Sequence, residues 1–102
     1  MILITGHVIL TPEHRERMVA LGVEHSARSR GEQGCLAHNC HIDVETPDRL
    51  MFVEAWESVD VVRAHFALPA ARAFVADMRA LSPQPPAIRI YAAEDITATL
   101  MG

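Results

Sequence analysis

The order of hydrophobic periodicities along the chain constrains its fold more than any other feature. Four segments alternate side chains at the two-residue period of a β-strand. They are residues 2–10, 35–43, 50–57 and 87 to about 96. Thr11 and Pro12 begin a helix between the first two strands, and Ser58 caps another between the last two. The predicted order is therefore β-α-β-β-α-β.

The second helical segment is interrupted once. Pro69 follows Leu68, and a proline inside a helix removes a backbone donor and breaks the run. Pro69 also suits the first position of a new helix. Beyond it, one helical stripe carries Ala71, Phe74, Met78 and Leu81. We therefore expect two consecutive helices before the last strand.

A chain with this order of elements usually folds as a split βαβ, ferredoxin-like α+β sandwich of four antiparallel strands with helices on one face. The other face of the sheet would then be bare, with Met51, Val53 and Ala55 projecting from it. Because monomers rarely expose a large apolar surface, the sequence predicts a homodimer through the open sheet face. At 102 residues, the chain is expected to form one domain, residues 1–102.

Charge and composition exclude several classes of partner. The formal net charge of −4 would repel a phosphate backbone, so nucleic acid is not an expected partner. Nowhere does the chain reach the run of about 18 apolar residues that a membrane span needs. Cys35 and Cys40 are predicted to lie on opposite faces of one strand and to remain free thiols. Together these features predict a cytoplasmic protein.

A possible metal-ligand set appears in the second strand. Cys35, His38, Cys40 and His41 lie within seven consecutive residues. Strand alternation would place His38 and Cys40 on one face and the other two on the opposite face, so the four cannot converge around one ion. The pattern therefore predicts no metal site in this strand.

Four residues are candidates for chemistry between the sheet and the helices. Glu54 and Trp56 share a face of the third strand, His38 lies on the neighbouring strand, and His65 lies on the next helix. Histidine gains or loses a proton near neutral pH, which makes His65 and His38 natural proton carriers. These residues predict a site for acid–base chemistry.

Each candidate also has a purely structural interpretation. Glu54 could be satisfied by hydrogen bonds or by a cation such as Arg63 or Arg72, and Trp56 could pack in the core. His25, on a stripe of the first helix, is more typical of a structural histidine. Four of the five aromatic residues lie between residues 52 and 74, namely Phe52, Trp56, Phe66 and Phe74. Such a concentration suits either a core or a pocket for a flat ring.

Three segments resemble the antibiotic biosynthesis monooxygenase (ABM) domain, and within it the small bacterial quinol monooxygenases. They are Glu32-Gln-Gly-Cys-Leu-Ala-His38, Met51-Phe-Val-Glu-Ala-Trp-Glu-Ser58 and Ala64-His-Phe66, followed by Pro69 and Phe74. The resemblance spans nearly the whole chain. The spacing of the Glu-x-Trp-Glu-Ser run from Ala-His is its most specific part.

The resemblance implies a dimeric α+β barrel that oxygenates quinol-like or polyketide-type aromatic substrates with dioxygen, without flavin, haem or metal. It implies that His65 or His38 accepts a phenolic proton and that Glu54 orients a histidine or binds substrate. Trp56 would form a wall for the aromatic ring. The other substrate-binding residues would be Phe52, Phe66 and Phe74.

Departures from the family pattern leave alternatives open. Many relatives have tyrosine at the position of His38, which would change the hydrogen-bonding group offered to a substrate. The haem-degrading branch has an asparagine where this chain has Val8 and a histidine near Phe74 and Val75, so haem ligation is not expected. The remaining alternatives are an acid–base isomerase of a small metabolite and a non-enzymic dimer that binds a small ligand.

Overall fold

A computed structural model describes residues 1–102 and confirms the α+β fold. Its elements are β1 (Ile2–Ile9), α1 (Arg15–Ser29), β2 (Cys35–Ile42), β3 (Arg49–Trp56), α2 (Val59–Ala67), α3 (Pro69–Leu81), β4 (Ala87–Ala92) and α4 (Thr97–Met101). All strand pairs are antiparallel, in the order β2-β3-β1-β4. The sheet thus has the ferredoxin-like arrangement, with α1, α2 and α3 packed together on one side.

The core between the sheet and the helices consists of two apolar clusters. The first contains Val8, Leu10, Met18, Leu50, Phe52 and Met78. The second contains Ile2, Ile4, Trp56 and Val62. His38 separates them, since its ring stands edge-on to Phe52 at 6.4 Å and to Trp56 at 6.2 Å between centroids. A buried polar side chain therefore lies between the two apolar clusters.

The interruption of the second helical segment is confirmed. Ser58 caps α2 by accepting a hydrogen bond from the backbone N–H of Val61 through its side chain. Leu68 is extended between the two helices, and Pro69 occupies the start of α3. Because of this break α2 ends at Ala67, and its last turn, which carries His65, lies against the sheet.

Two sequence-based boundaries were wrong. Helix α1 begins at Arg15, because Thr11 closes a separate turn by accepting a hydrogen bond from the N–H of His14 through its side chain. Strand β4 ends at Ala92, and Asp95 then accepts from the N–H of Thr97 at the start of α4. Both errors arise where local side-chain hydrogen bonds compete with the regular element.

A β-bulge corrects the predicted faces of β2. The pairing with β3 shifts between Cys35 and Ala37, so that Leu36 is the extra residue and Cys35 lies opposite Trp56. Cys35 consequently faces the helices, on the same side as Cys40, rather than the opposite side. Both thiols are free, as predicted. The reason given from the sequence, that the two lie on opposite faces of the strand, is wrong.

Gly34 adopts a backbone conformation that other residues avoid. Its φ is +82°, and a Cβ there would lie 2.6 Å from a methyl carbon of Val61. We expect Gly34→Ala to lower the free energy of unfolding by about 2–4 kcal/mol, because left-handed strain and a steric clash add. Urea denaturation would measure the loss. Gly31→Ala is the matched control, since nothing lies within 3.4 Å of a Cβ at Gly31; equal losses in both variants would contradict the prediction.

The second face of the sheet carries no helix. Met51 and Ala55 are half-buried there, and Val53 is 41% exposed.

No helix has both the length and the apolar character that crossing a bilayer requires.

Candidate active site

A cavity of about 290 Å³ lies between the sheet and the helices. Its wall is mostly apolar, and the aromatic part of the wall is formed by Phe52, Phe66 and Phe74. Five polar residues line it: His7, His25, Glu54, His65 and Arg79. Of these, only His25, Glu54 and His65 are buried. An apolar cavity with a few converging polar groups is the usual form of a small-molecule site.

The structure brings most of the predicted site residues together, but it does not place all of them at the cavity. His65 and Glu54 line it, with the three phenylalanines. His38 and Trp56 are fully buried behind that wall and do not line the cavity. A direct contact between Trp56 and a bound ring is therefore not available in this arrangement.

Glu54 is held by its strand neighbours. The indole Nε1–H of Trp56 donates to its Oε1 at 2.9 Å. His38 Nε2 lies 3.3 Å from the same oxygen, but its ring is not aligned for a hydrogen bond, so this contact is electrostatic. Of the two structural partners considered from the sequence, hydrogen bonding is thus confirmed, whereas the cation is wrong, because no arginine pairs with Glu54.

The charge state of Glu54 follows from these contacts. Burial raises the pKa of its carboxyl, but His38, the Trp56 indole and His65 outweigh burial and hold the pKa below the usual range. Glu54 is thus a buried anion that still reaches the cavity. It can accept a hydrogen bond from a ligand hydroxyl.

His65 is oriented by a carboxylate that the sequence did not single out for a role. Its Nδ1 lies 2.9 Å and 3.1 Å from the two carboxylate oxygens of Glu32, in the loop between α1 and β2. An ionised carboxylate only accepts hydrogen bonds, so in the neutral ring of His65 the proton is on Nδ1 and the lone pair on Nε2. The only sequence signal for Glu32 was its position within a segment that resembles the ABM domain.

His38 is positioned in the same way from the other side. Its Nδ1 is 2.9 Å from the hydroxyl of Ser26 on α1. The backbone carbonyl of His38 also accepts a hydrogen bond from Arg30 at 2.9 Å. Ser26 is itself buried, so the ring cannot turn freely.

His25 is the site residue that sequence reasoning undervalued. Its ring stacks on Phe74 with centroids 4.0 Å apart and planes 4° apart. Its centroid is 5.0 Å from that of His38 and 5.4 Å from that of His65. The available signal was a polar residue on the otherwise apolar stripe of α1, which indicates burial but not the partners.

Burial, together with the positive charge that His38 and His65 acquire on protonation and the charge of Arg28, lowers the pKa of His25 to about 3. The unfolded chain, by contrast, takes up this proton near pH 6.5. His25 is therefore neutral in the folded protein at physiological pH.

This difference predicts an acid-dependent loss of stability. Between about pH 6.5 and pH 4 the unfolded state binds a proton at residue 25 that the folded state does not, so the free energy of unfolding falls as the pH falls. We expect wild type to lose up to about 1.4 kcal/mol per pH unit relative to His25→Phe, which keeps the stacking but cannot titrate. Urea denaturation in metal-free buffer measures this. Parallel stability curves for the two proteins would contradict the assignment.

The same three histidines could hold a metal ion. One ligand atom from each of His25, His38 and His65 lies within 4.8 Å of the others. They come from α1, β2 and α2, and only His38 belongs to the set considered from the sequence. Their convergence depends on tertiary structure, which periodicity within one strand could not reveal.

The fold defines an α+β protein of the ferredoxin-like class, with a mostly apolar cavity between its sheet and its helices. The profile of the antibiotic biosynthesis monooxygenase family matches residues 1–77. The chain belongs to that family, as its sequence motifs predicted.

Solved structures agree on the fold. A Deinococcus radiodurans protein whose name carries the same family designation superposes with a TM-score of 0.88 at 24% identity, covering 93% of this chain and 94% of that one. Rv0793 from Mycobacterium tuberculosis superposes with a TM-score of 0.85 at 20% identity, covering 92% and 95%. At these identities the likeness concerns the fold.

The name of one further relative states no activity. The uncharacterized protein sll1783 of Synechocystis is 28% identical over 90 residues, or 88% of this chain. The chain spans 61% of that relative's length.

Proposed function

We propose that the chain is a monooxygenase that needs no resident cofactor and oxidises a small hydroquinone, phenol or polyketide-type aromatic with dioxygen. One observation carries the proposal: an apolar, aromatic-walled cavity presents a histidine, His65, whose opposite ring nitrogen is fixed by Glu32. Family membership supports the same class of reaction.

His65 is the proposed base. With the proton fixed on Nδ1 by Glu32, the lone pair of Nε2 is available to a phenolic O–H in the cavity. When Nε2 takes that proton, the Glu32 carboxylate stabilises the resulting imidazolium, as a carboxylate does in a catalytic triad. Histidine is suited to this step because it exchanges protons near neutral pH.

The oxidation balances without an added reductant. A deprotonated hydroquinone is electron-rich and reduces dioxygen itself. One oxygen atom forms a bond to a ring carbon and the other leaves as water, so hydroquinone plus dioxygen gives hydroxyquinone plus water. The protein's task is to remove the proton, hold the ring and exclude bulk water.

The remaining residues bind and orient. Phe52, Phe66 and Phe74 contact the flat ring, and the stacked His25 fixes the plane of Phe74. Glu54 accepts a hydrogen bond from a second substrate hydroxyl. Trp56 and His38 act behind the wall by holding Glu54, a role that replaces the ring contact first expected of Trp56.

Oxygen consumption tests the proposal. Purified protein treated with a chelator should consume dioxygen when given simple hydroquinones, above the rate of their autoxidation. A rate equal to autoxidation across such a panel would contradict it.

The proposal includes a homodimer through the open sheet face. If two copies bury that face, Val53→Glu places a charge in an apolar interface, and we expect dimerisation to weaken by at least about tenfold. Sedimentation velocity measures the shift to monomer. Val44→Glu is the matched control, because Val44 lies in a loop and is 93% exposed. Monomeric wild type at micromolar concentration would contradict the dimer.

A further inference from the structure

His25, His38 and His65 form a group that we call the histidine cluster. All three side chains are buried, and one nitrogen from each lies within 4.8 Å of the others. An ion that binds two imidazole nitrogens at about 2.0–2.1 Å holds them about 3.4 Å apart. The cluster would therefore have to contract by up to about 1.4 Å around an ion.

Each ring of the histidine cluster has an outer partner on one nitrogen. Ser26 contacts Nδ1 of His38, and Glu32 contacts Nδ1 of His65. Histidine ligands usually show this pattern, because the partner fixes the ring and leaves the other nitrogen for the metal. Two of the three rings are thus already oriented as ligands.

His38 provides an independent sign of a missing partner. Its Nε2 is fully buried and has no hydrogen-bond partner. Buried polar atoms are nearly always satisfied, and an exception calls for an unseen water, ion or ligand. The orphaned atom faces Glu54 Oε1 at 3.3 Å, so a cation between them would satisfy both.

Charge and access also fit a cation. Glu54 supplies one negative charge beside the three neutral nitrogen ligands, and three nitrogens with one carboxylate oxygen suit zinc and its first-row neighbours. His25, Glu54 and His65 line the cavity, which gives an ion a route to the cluster.

Arg28 opposes metal binding at the third ring. Its Nη2 donates to Nδ1 of His25 at 3.1 Å, which places the ring proton on Nε2 and leaves His25 no free lone pair. Either nitrogen can bind a metal only after Arg28 withdraws. Arg28 has another partner in Glu24, at 3.4 Å on the protein surface. Arg28 is therefore a gate for the site.

We propose that the histidine cluster and Glu54 bind one divalent first-row transition-metal ion of the zinc type. The site goes beyond the proposed function, and its occupancy can be measured without any turnover. Where the proposed function holds, a bound ion would occupy the lone pair by which His65 accepts a proton. The metal-loaded protein should then turn over more slowly than the metal-free protein.

Metal titration of tag-free, chelator-treated protein tests the proposal. Calorimetry with Zn²⁺ should give one ion per chain, and Co²⁺ should produce the visible bands of a low-coordinate nitrogen-ligated site. His38→Gln should weaken Zn²⁺ binding by more than about a hundredfold, whereas Arg28→Gln should tighten it by about tenfold. His41→Gln, on the exposed face of β2, should leave it unchanged.

The outcomes separate the two proposals. Absence of Co²⁺ bands, or equal weakening by His38→Gln and His41→Gln, would overturn the metal site. Because Arg28 is at the surface, Arg28→Gln tests the site even if His38→Gln fails to fold, and unchanged or weaker binding in Arg28→Gln would also contradict it. None of these metal-binding results depends on oxygen uptake by the metal-free protein. Failure of the metal site can therefore be told apart from failure of the proposed function.

Discussion

His65→Asn is expected to lower kcat for oxygen-dependent turnover of a hydroquinone by about 10²–10⁴-fold, the usual contribution of a positioned general base. The asparagine side chain amide can still donate to Glu32, which His65 now contacts at 2.9 Å. It has no basic nitrogen, so it cannot accept the phenolic proton. Steady-state oxygen consumption measures the effect.

Two controls make this result specific. His41→Asn changes a histidine on the open face of the sheet, on the side opposite the cavity, and should retain wild-type turnover. Urea denaturation should show that His65→Asn remains folded. A folded His65→Asn protein with kcat within about twofold of wild type would remove His65 from the reaction.

Trp56→Ala is expected to have the largest effect on stability. Trp56 is the largest fully buried side chain and belongs to the second apolar cluster. Truncation of such a residue costs about 3–5 kcal/mol, because it removes buried apolar area and leaves a cavity. That is a large part of the 5–15 kcal/mol that typically holds a domain folded. The Trp56→Ala substitution also removes the indole that donates to Glu54.

Urea denaturation measures the loss. Tyr91→Ala is the matched aromatic control, since Tyr91 is half exposed on β4 and should change the free energy of unfolding far less. A loss below about 1 kcal/mol in Trp56→Ala would show that Trp56 is not the anchor of the second apolar cluster.

The sequence predicted the elements whose signal is local. Ser58 and Pro69 mark the starts of α2 and α3 because a cap and a fixed φ act within one turn of helix. The shared face of Glu54 and Trp56 followed from strand alternation. The bulge at Leu36 could not be predicted, because it is defined by pairing with a second strand.

The candidate site was predictable only in part for the same reason. The sequence singled out Glu54, His38 and His65, but their outer partners Ser26 and Glu32 lie on α1 and the loop after it. Such contacts join residues distant in the chain, and no periodicity encodes them. Helical spacing indicated that His25 is buried, but it could not show which rings surround it. The place of His25 in the candidate site was therefore missed.

Under the proposed function, the chain inserts one atom of dioxygen into an aromatic ring without a resident cofactor. Turnover of a hydroquinone by chelator-treated protein under ¹⁸O₂, with the product analysed by mass spectrometry, tests it most directly. The account predicts one ¹⁸O atom in the hydroxyquinone and the other in water. A product without ¹⁸O, or proton exchange into a metabolite without oxygen consumption, would contradict it.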